Sequence, residues 1–88
     1  MLKPVTLGRD CRIGPEARLN VSVLGNGCRI GAGASLDHAV LWDKVVIGEG
    51  AIVHDSVLAN GCVIGAHAEL SPGTVMGQGS VVAAHSKI

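Results

Sequence analysis

Four histidines and three cysteines are the side chains of this 88-residue sequence best equipped for chemistry, as metal ligands, bases or nucleophiles. A zinc site needs three or four such ligands held together, with cysteines usually in close pairs. Cys11, Cys28 and Cys62 form no CxxC pair, and their odd number fits no closed disulfide framework. Lys44 runs into Val45 with no P-loop before it, and no GxG here extends to GxGxxG. No serine has a His and Asp pair in local reach beyond chance. The sequence therefore assigns no catalytic residue, no cofactor site and no metal ligand.

What positions these residues is a repeat. Large aliphatic residues stand at Leu7, Ile13, Leu19, Leu24, Ile30, Leu36, Leu41, Ile47, Val53, Leu58, Ile64, Leu70, Met76, Val82 and Ile88. The steps are six, six and five, three times over, then sixes, a period typical of a solenoid with three short strands per coil. Because strand side chains alternate, the residue two before each of these also points inward. That second column reads Val5, Cys11, Ala17, Ser22, Cys28, Ala34, Ala39, Val45, Ala51, Ser56, Cys62, Ala68, Thr74, Ser80 and Ser86, all small or β-branched. Large and small residues in alternation suit a narrow three-walled tube. The three cysteines are accordingly read as buried free thiols acting as small hydrophobes.

The reading is an all-β, single-stranded parallel β-helix of about five three-sided coils, stacked at about 4.8 Å to make a rod roughly 24 Å long. Glycine pairs such as Gly25 with Gly27, Gly31 with Gly33, Gly48 with Gly50 and Gly77 with Gly79 are expected at corners, where positive φ is cheap only for glycine. Trp42 is the one aromatic residue, so stacked aliphatics replace a Phe and Tyr core. The repeat already runs at Met1 and still runs at Ile88, so residues 1–88 are expected to be one domain within a longer protein. No secretion signal or membrane-length apolar run is present, which makes a cytoplasmic protein with no membrane partner the expectation. Five cations against two carboxylates give the first 29 residues about +3, and the remainder about −3. Only Arg12 and Arg29 stack in successive coils, without interleaved aromatics, so nucleic acid is not expected.

The outward faces carry the functional reading. One wall exposes Val23, Val40, Val57 and Val75 beside Gly25, Trp42, Ala59 and Gly77. The next begins with Arg12 and Arg29 and turns into Val46, Val63 and Val81. The third is polar, with Arg18, Ser35, Glu69, Lys87, Asn20, Asp37, His54 and Ser71, and with Ile52 as its exception. Outward valines follow in part from strand propensity. Two smooth apolar walls meeting near one Trp also fit a contact surface, which makes Val40, Trp42, Val46, Val57, Val63, Val75 and Val81 the interface candidates.

The stretch from Leu41 to Ile88, with Leu41-Trp42-Asp43 before Val45-Val46-Ile47, His54 to Leu58, Leu70 to Gly73 and the final His85-Ser86-Lys87-Ile88, together with the steps Ser22-Val23-Leu24, Ala39-Val40-Leu41 and Ser56-Val57-Leu58 along the chain, resembles the C-terminal hexapeptide domain of the sugar-nucleotide pyrophosphorylase superfamily. Two branches carry these motifs. The closer is the epsilon subunit of eukaryotic translation initiation factor 2B, and mannose-1-phosphate guanylyltransferases share the L-W-D and V-V-I-G segments. The resemblance implies a left-handed coil and a non-catalytic scaffold whose partners are other subunits or domains in an oligomer, with nucleotidyl transfer or guanine-nucleotide exchange housed elsewhere. Between Met76 and Val82 the chain is one hexapeptide shorter than the epsilon pattern. A free-standing hexapeptide acyltransferase is a more distant reading, and such enzymes use a histidine beside a loop that this sequence lacks. Hexapeptide carbonic anhydrases want histidines where Ala66 and Ser71 stand. His67 and His85 fall at one corner of consecutive coils, and His38 and His54 lie elsewhere on the coil, so no three ligands meet.

Overall fold

A computed structural model describes residues 5–87. The positions expected for Met1 and Ile88 lie outside the described residues, as does Lys3. All fourteen strands among the described residues are two or three residues long and fall into three parallel sheets. The first sheet contains β1 (Val5–Leu7), β4 (Ser22–Leu24), β7 (Val40–Leu41), β10 (Val57–Leu58) and β13 (Val75–Met76). The second contains β2 (Arg12–Ile13), β5 (Arg29–Ile30), β8 (Val46–Ile47), β11 (Val63–Ile64) and β14 (Val81–Val82). The third contains β3 (Arg18–Asn20), β6 (Ser35–Asp37), β9 (Ile52–His54) and β12 (Glu69–Leu70), continued by a single bridge from Glu69 to Lys87.

Register is the sequence period made solid. Leu7 pairs with Leu24, Leu24 with Leu41, Leu41 with Leu58 and Leu58 with Met76, so large apolar residues stack in a ladder along this wall. In the second sheet Ile13, Ile30, Ile47, Ile64 and Val82 do the same. Leu24, Ile30, Leu36, Leu41, Ile47, Val53, Leu58, Ile64 and Leu70 are buried, together with Cys28, Ala34, Ala39, Val45, Ala51, Cys62 and Ala68. Each such aliphatic withdrawn from water contributes roughly 1.5–3 kcal/mol toward holding the tube together. Leu7, expected inward, is 42% exposed, and Ile13 and Met76 are only partly buried. They belong to the outer coils, where a described rung covers one side only.

The corners show which residues turn the chain. At the corner from third to first sheet a single residue carries the bend, and Val21, His38 and Asp55 take φ of 43°, 53° and 45° there. The coil from Leu58 lengthens by one residue at this corner. Pairing steps by 17 between Leu70 and Val53 but by 18 between Val57 and Val75, and the extra residue sits in the turn Ser71–Thr74 with Gly73 at φ 86°. The expectation for the glycine pairs holds for one member of each. Gly27, Gly33, Gly50 and Gly79 have positive φ, whereas Gly25, Gly31, Gly48 and Gly77 do not. Gly31 and Gly48 serve a different end: a Cβ on either would lie 2.5 Å from the backbone nitrogen of Glu49 or Ala66 in the next coil, so they let successive coils close up.

The few buried polar groups are satisfied locally. Ser22 Oγ donates to the carbonyl of Asn20 at 2.9 Å, and Ser56 Oγ to that of His54 at 2.7 Å, tying down the tight corners. Among the described residues no buried side-chain nitrogen or oxygen lacks a partner. The described molecule measures 26 × 23 × 20 Å, a stub about as long as it is wide.

Candidate interaction faces and polar corners

The first and second sheets meet at the corner that carries Trp42. Outward from the first sheet, Val23 is directly paired with Val40, Val40 with Val57 and Val57 with Val75. Trp42 follows β7, is 54% exposed, and is flanked by Gly25 and Ala59 in the neighbouring coils, which leave its ring standing clear. On the second sheet the outward column runs Arg12, Arg29, Val46, Val63, Val81 by direct pairing. Val75 and Val81 are 76% and 71% exposed, Val63 is exposed, and Val40, Val46 and Val57 are half-buried by their neighbours along the column. The structure thus places all seven interface candidates on two adjoining faces. The third sheet carries the polar set, with Arg18 paired to Ser35, Ser35 to Ile52 and Ile52 to Glu69.

Two features of the corners were not visible as such in the sequence. Asn26, Asp43 and Asn60 form a side-chain ladder along the corner between first and second sheets. Their Oδ1 atoms accept from the backbone N–H groups of Arg9, Asn26 and Asp43 at 2.8, 2.9 and 3.0 Å. The signal was present, a polar amide or acid recurring every 17 residues, but polar turn residues have so many local uses that recurrence alone does not reveal a ladder. The second feature is a histidine and aspartate chain at the tight corner: His38 Nδ1 lies 2.7 Å from Asp37 and 3.9 Å from Asp55, and His54 Nδ1 lies 3.9 Å from the other oxygen of Asp37.

His67 and His85 stack as the period requires, with ring centroids 5.2 Å apart and planes 15° from parallel. Among the described residues no three His, Cys, Asp or Glu side chains are grouped to hold a metal ion. The thiols point inward and donate to carbonyls of the adjoining coil, Cys11 to Gly25, Cys28 to Trp42 and Cys62 to Gly77, at 3.0 to 3.1 Å. Burial pushes the Cys28 thiol above its ordinary value, since a thiolate there would lose its hydration. Cys28 and Cys62 are buried free thiols, as expected, whereas Cys11, in an outer coil, is only partly buried. No helix among the described residues is long and apolar enough to cross a membrane.

Three parallel sheets closed around aliphatic ladders of six-residue period define a hexapeptide-repeat β-solenoid. Over residues 1–88 the chain matches the EIF2B subunit epsilon LbH domain, and it belongs to that left-handed β-helix family. No curated protein sequence matches the chain. Among solved structures it is similar to an H141N mutant of perosamine N-acetyltransferase from Caulobacter crescentus in complex with CoA and GDP-perosamine, at 28% identity and TM-score 0.77, over 92% of this chain and 46% of that one. The H141A mutant of the same GDP-perosamine N-acetyltransferase aligns at 25% identity and TM-score 0.83, covering 99% and 48%. WeeI from Acinetobacter baumannii AYE shares the fold, at TM-score 0.93 and 20% identity, covering 99% and 45%. The chain spans less than half the length of each of these proteins.

Proposed function

We propose that this chain is a non-catalytic assembly domain of an epsilon-like subunit of translation initiation factor 2B, binding other subunits or domains of its parent protein in the cytoplasm. The observation that carries the reading is the pair of adjoining valine-bearing faces around exposed Trp42 on a tube of three parallel sheets. Family membership supports the placement in the factor. A rigid stack of paired rungs suits holding partners at fixed spacing better than it suits a mobile catalytic loop. The tail of a mannose-1-phosphate guanylyltransferase-like sugar nucleotidyltransferase is the alternative with the same mechanical role. In sedimentation of the parent protein, Trp42→Ala with Val63→Asp is expected to release subunits that the unaltered protein holds. An unchanged sedimentation profile rejects the assembly role.

A second reading, part of an acetyltransferase, is favoured by the 28% identity to the perosamine N-acetyltransferase. It requires transfer of an acetyl group from acetyl-CoA to an amino sugar by the purified protein. The assembly reading expects none.

A further inference from the structure

From the second sheet we infer a partner of defined chemistry: an amphipathic α-helix lying along the solenoid axis, with carboxylates over Arg12 and Arg29 and apolar residues over Val46, Val63 and Val81. The inference rests on the reading of the apolar faces as contact surfaces and names what one of them holds.

Strand pairing sets the Arg12 and Arg29 side chains directly beside each other on the outer face. Both are exposed, and every ion pair among the described residues belongs instead to His38 or His54. Two adjacent guanidinium groups without an intervening carboxylate repel each other, and a carboxylate supplied from outside relieves that while making charge-assisted hydrogen bonds. The same column continues without a break into three valines, increasingly exposed from Val46 to Val81. Beside it runs Gly14, Gly31, Gly48, Gly65 and Ala83, a shelf almost without side chains that admits a partner closely. The first sheet has an apolar column too, but its outward residues from Val23 to Val75 include no charge. Only the second sheet has a cationic head and an apolar tail.

Spacing selects the helix. Five coils place the column's residues about 4.8 Å apart over about 19 Å. A helix presents one residue per turn of about 5.4 Å, so it drifts only about 2.4 Å over four steps, within the reach of its side chains. An extended strand presents one residue per face every ~6.7 Å and is out of register by about 8 Å at the far end. A matching helix therefore carries two acidic and then three apolar residues on one stripe.

The test uses the 88-residue chain and a synthetic helical peptide of about 18 residues with two glutamates followed by three leucines along one stripe, beside a twin with lysines for the glutamates. Heteronuclear NMR titration is expected to move the amides of Val46, Val63 and Val81 with the glutamate peptide. Arg12→Glu with Arg29→Glu should weaken that peptide at least about tenfold and transfer binding to the lysine twin, since close charge pairs at interfaces are worth at least that factor. Arg12→Gln with Arg29→Gln, expected to weaken without transfer, replaces the reversal if the latter does not fold. The proposal is overturned if both peptides bind both proteins alike, if the moved amides lie on the third sheet, or if single-stranded DNA of about 12 bases displaces the glutamate peptide at equal concentration. If the arginine variants leave the parent assembly intact while Trp42→Ala disrupts it, the helix proposal fails and the assembly role stands. If neither disrupts it, both fail.

Discussion

The first and third sheets share one interior and have opposite exteriors. Inside, both stack buried aliphatics, Leu24 on Leu41 and Leu58 in the first, Leu19 on Leu36 and Val53 in the third. Outside, the first presents valines and Trp42, and the third presents Arg18, Ser35, Glu69 and the Asp37 and His54 pair. Identical ladders are enough to fix the coil. The outer residues are then free to differ from wall to wall.

The sharpest way to break this comparison is to alter inside and outside at adjacent positions. Leu41→Ala should cost about 2–5 kcal/mol in urea unfolding, because the cavity sits where three walls meet, whereas neighbouring Val40→Thr should cost less than about 1 kcal/mol. Equal losses would mean that the outer valines also hold the fold. Glycines divide in the same manner. Gly48→Ala should lower stability by about 1–3 kcal/mol, since its Cβ meets the backbone of Gly65 and Ala66 under 3 Å away, while Gly33→Asn, at φ 70° with open space around it, should lie within about 1 kcal/mol of the parent in thermal melts.

Val21 offers a change of opposite sign. A β-branched residue at φ 43° is strained, so Val21→Asn should raise the melting temperature, by about 1 kcal/mol of stability, and restore the pattern of its column mates His38 and Asp55. A fall in melting temperature would show that the exposed valine is held by contacts rather than tolerated. The smallest effect is electrostatic. With its thiol pushed up by burial, Cys28 favours the folded state fully below the ordinary thiol value of 9.0, and that contribution is lost as pH rises through the folded-state value. Cys28→Ala should therefore flatten the alkaline limb of stability against pH, and an unchanged limb would reassign the slope to other groups.

The interior was legible because its signal is redundant: Leu41 is marked by its own type, by Ala39 two residues before it and by Leu24 and Leu58 one period away. The stacked His67 and His85 followed from the same count. Gly48 was misread, since a glycine required for close approach looks in sequence like one required for a turn. The Asn26, Asp43 and Asn60 ladder went unseen, as did the Asp55, His38, Asp37 and His54 chain, because side-chain hydrogen bonding across coils depends on rotamers that periodicity does not encode. The interface candidates were placed on the faces expected, but outward valine marks a strand as readily as a contact.

The lengthened turn at Ser71–Thr74 shows how this tube handles surplus chain. Thr74 Oγ1 donates to the Ser71 carbonyl at 2.7 Å and closes the turn, the Gly73 N–H donates to the Asp55 carbonyl of the preceding coil at 2.9 Å, and Val75 and Val81 then return to step with Val57 and Val63. Downstream rungs never register the insertion. Epitope tags or whole foreign loops spliced between Pro72 and Gly73 should therefore ride on the outside as passengers, making this bend the natural splice point for engineering the domain.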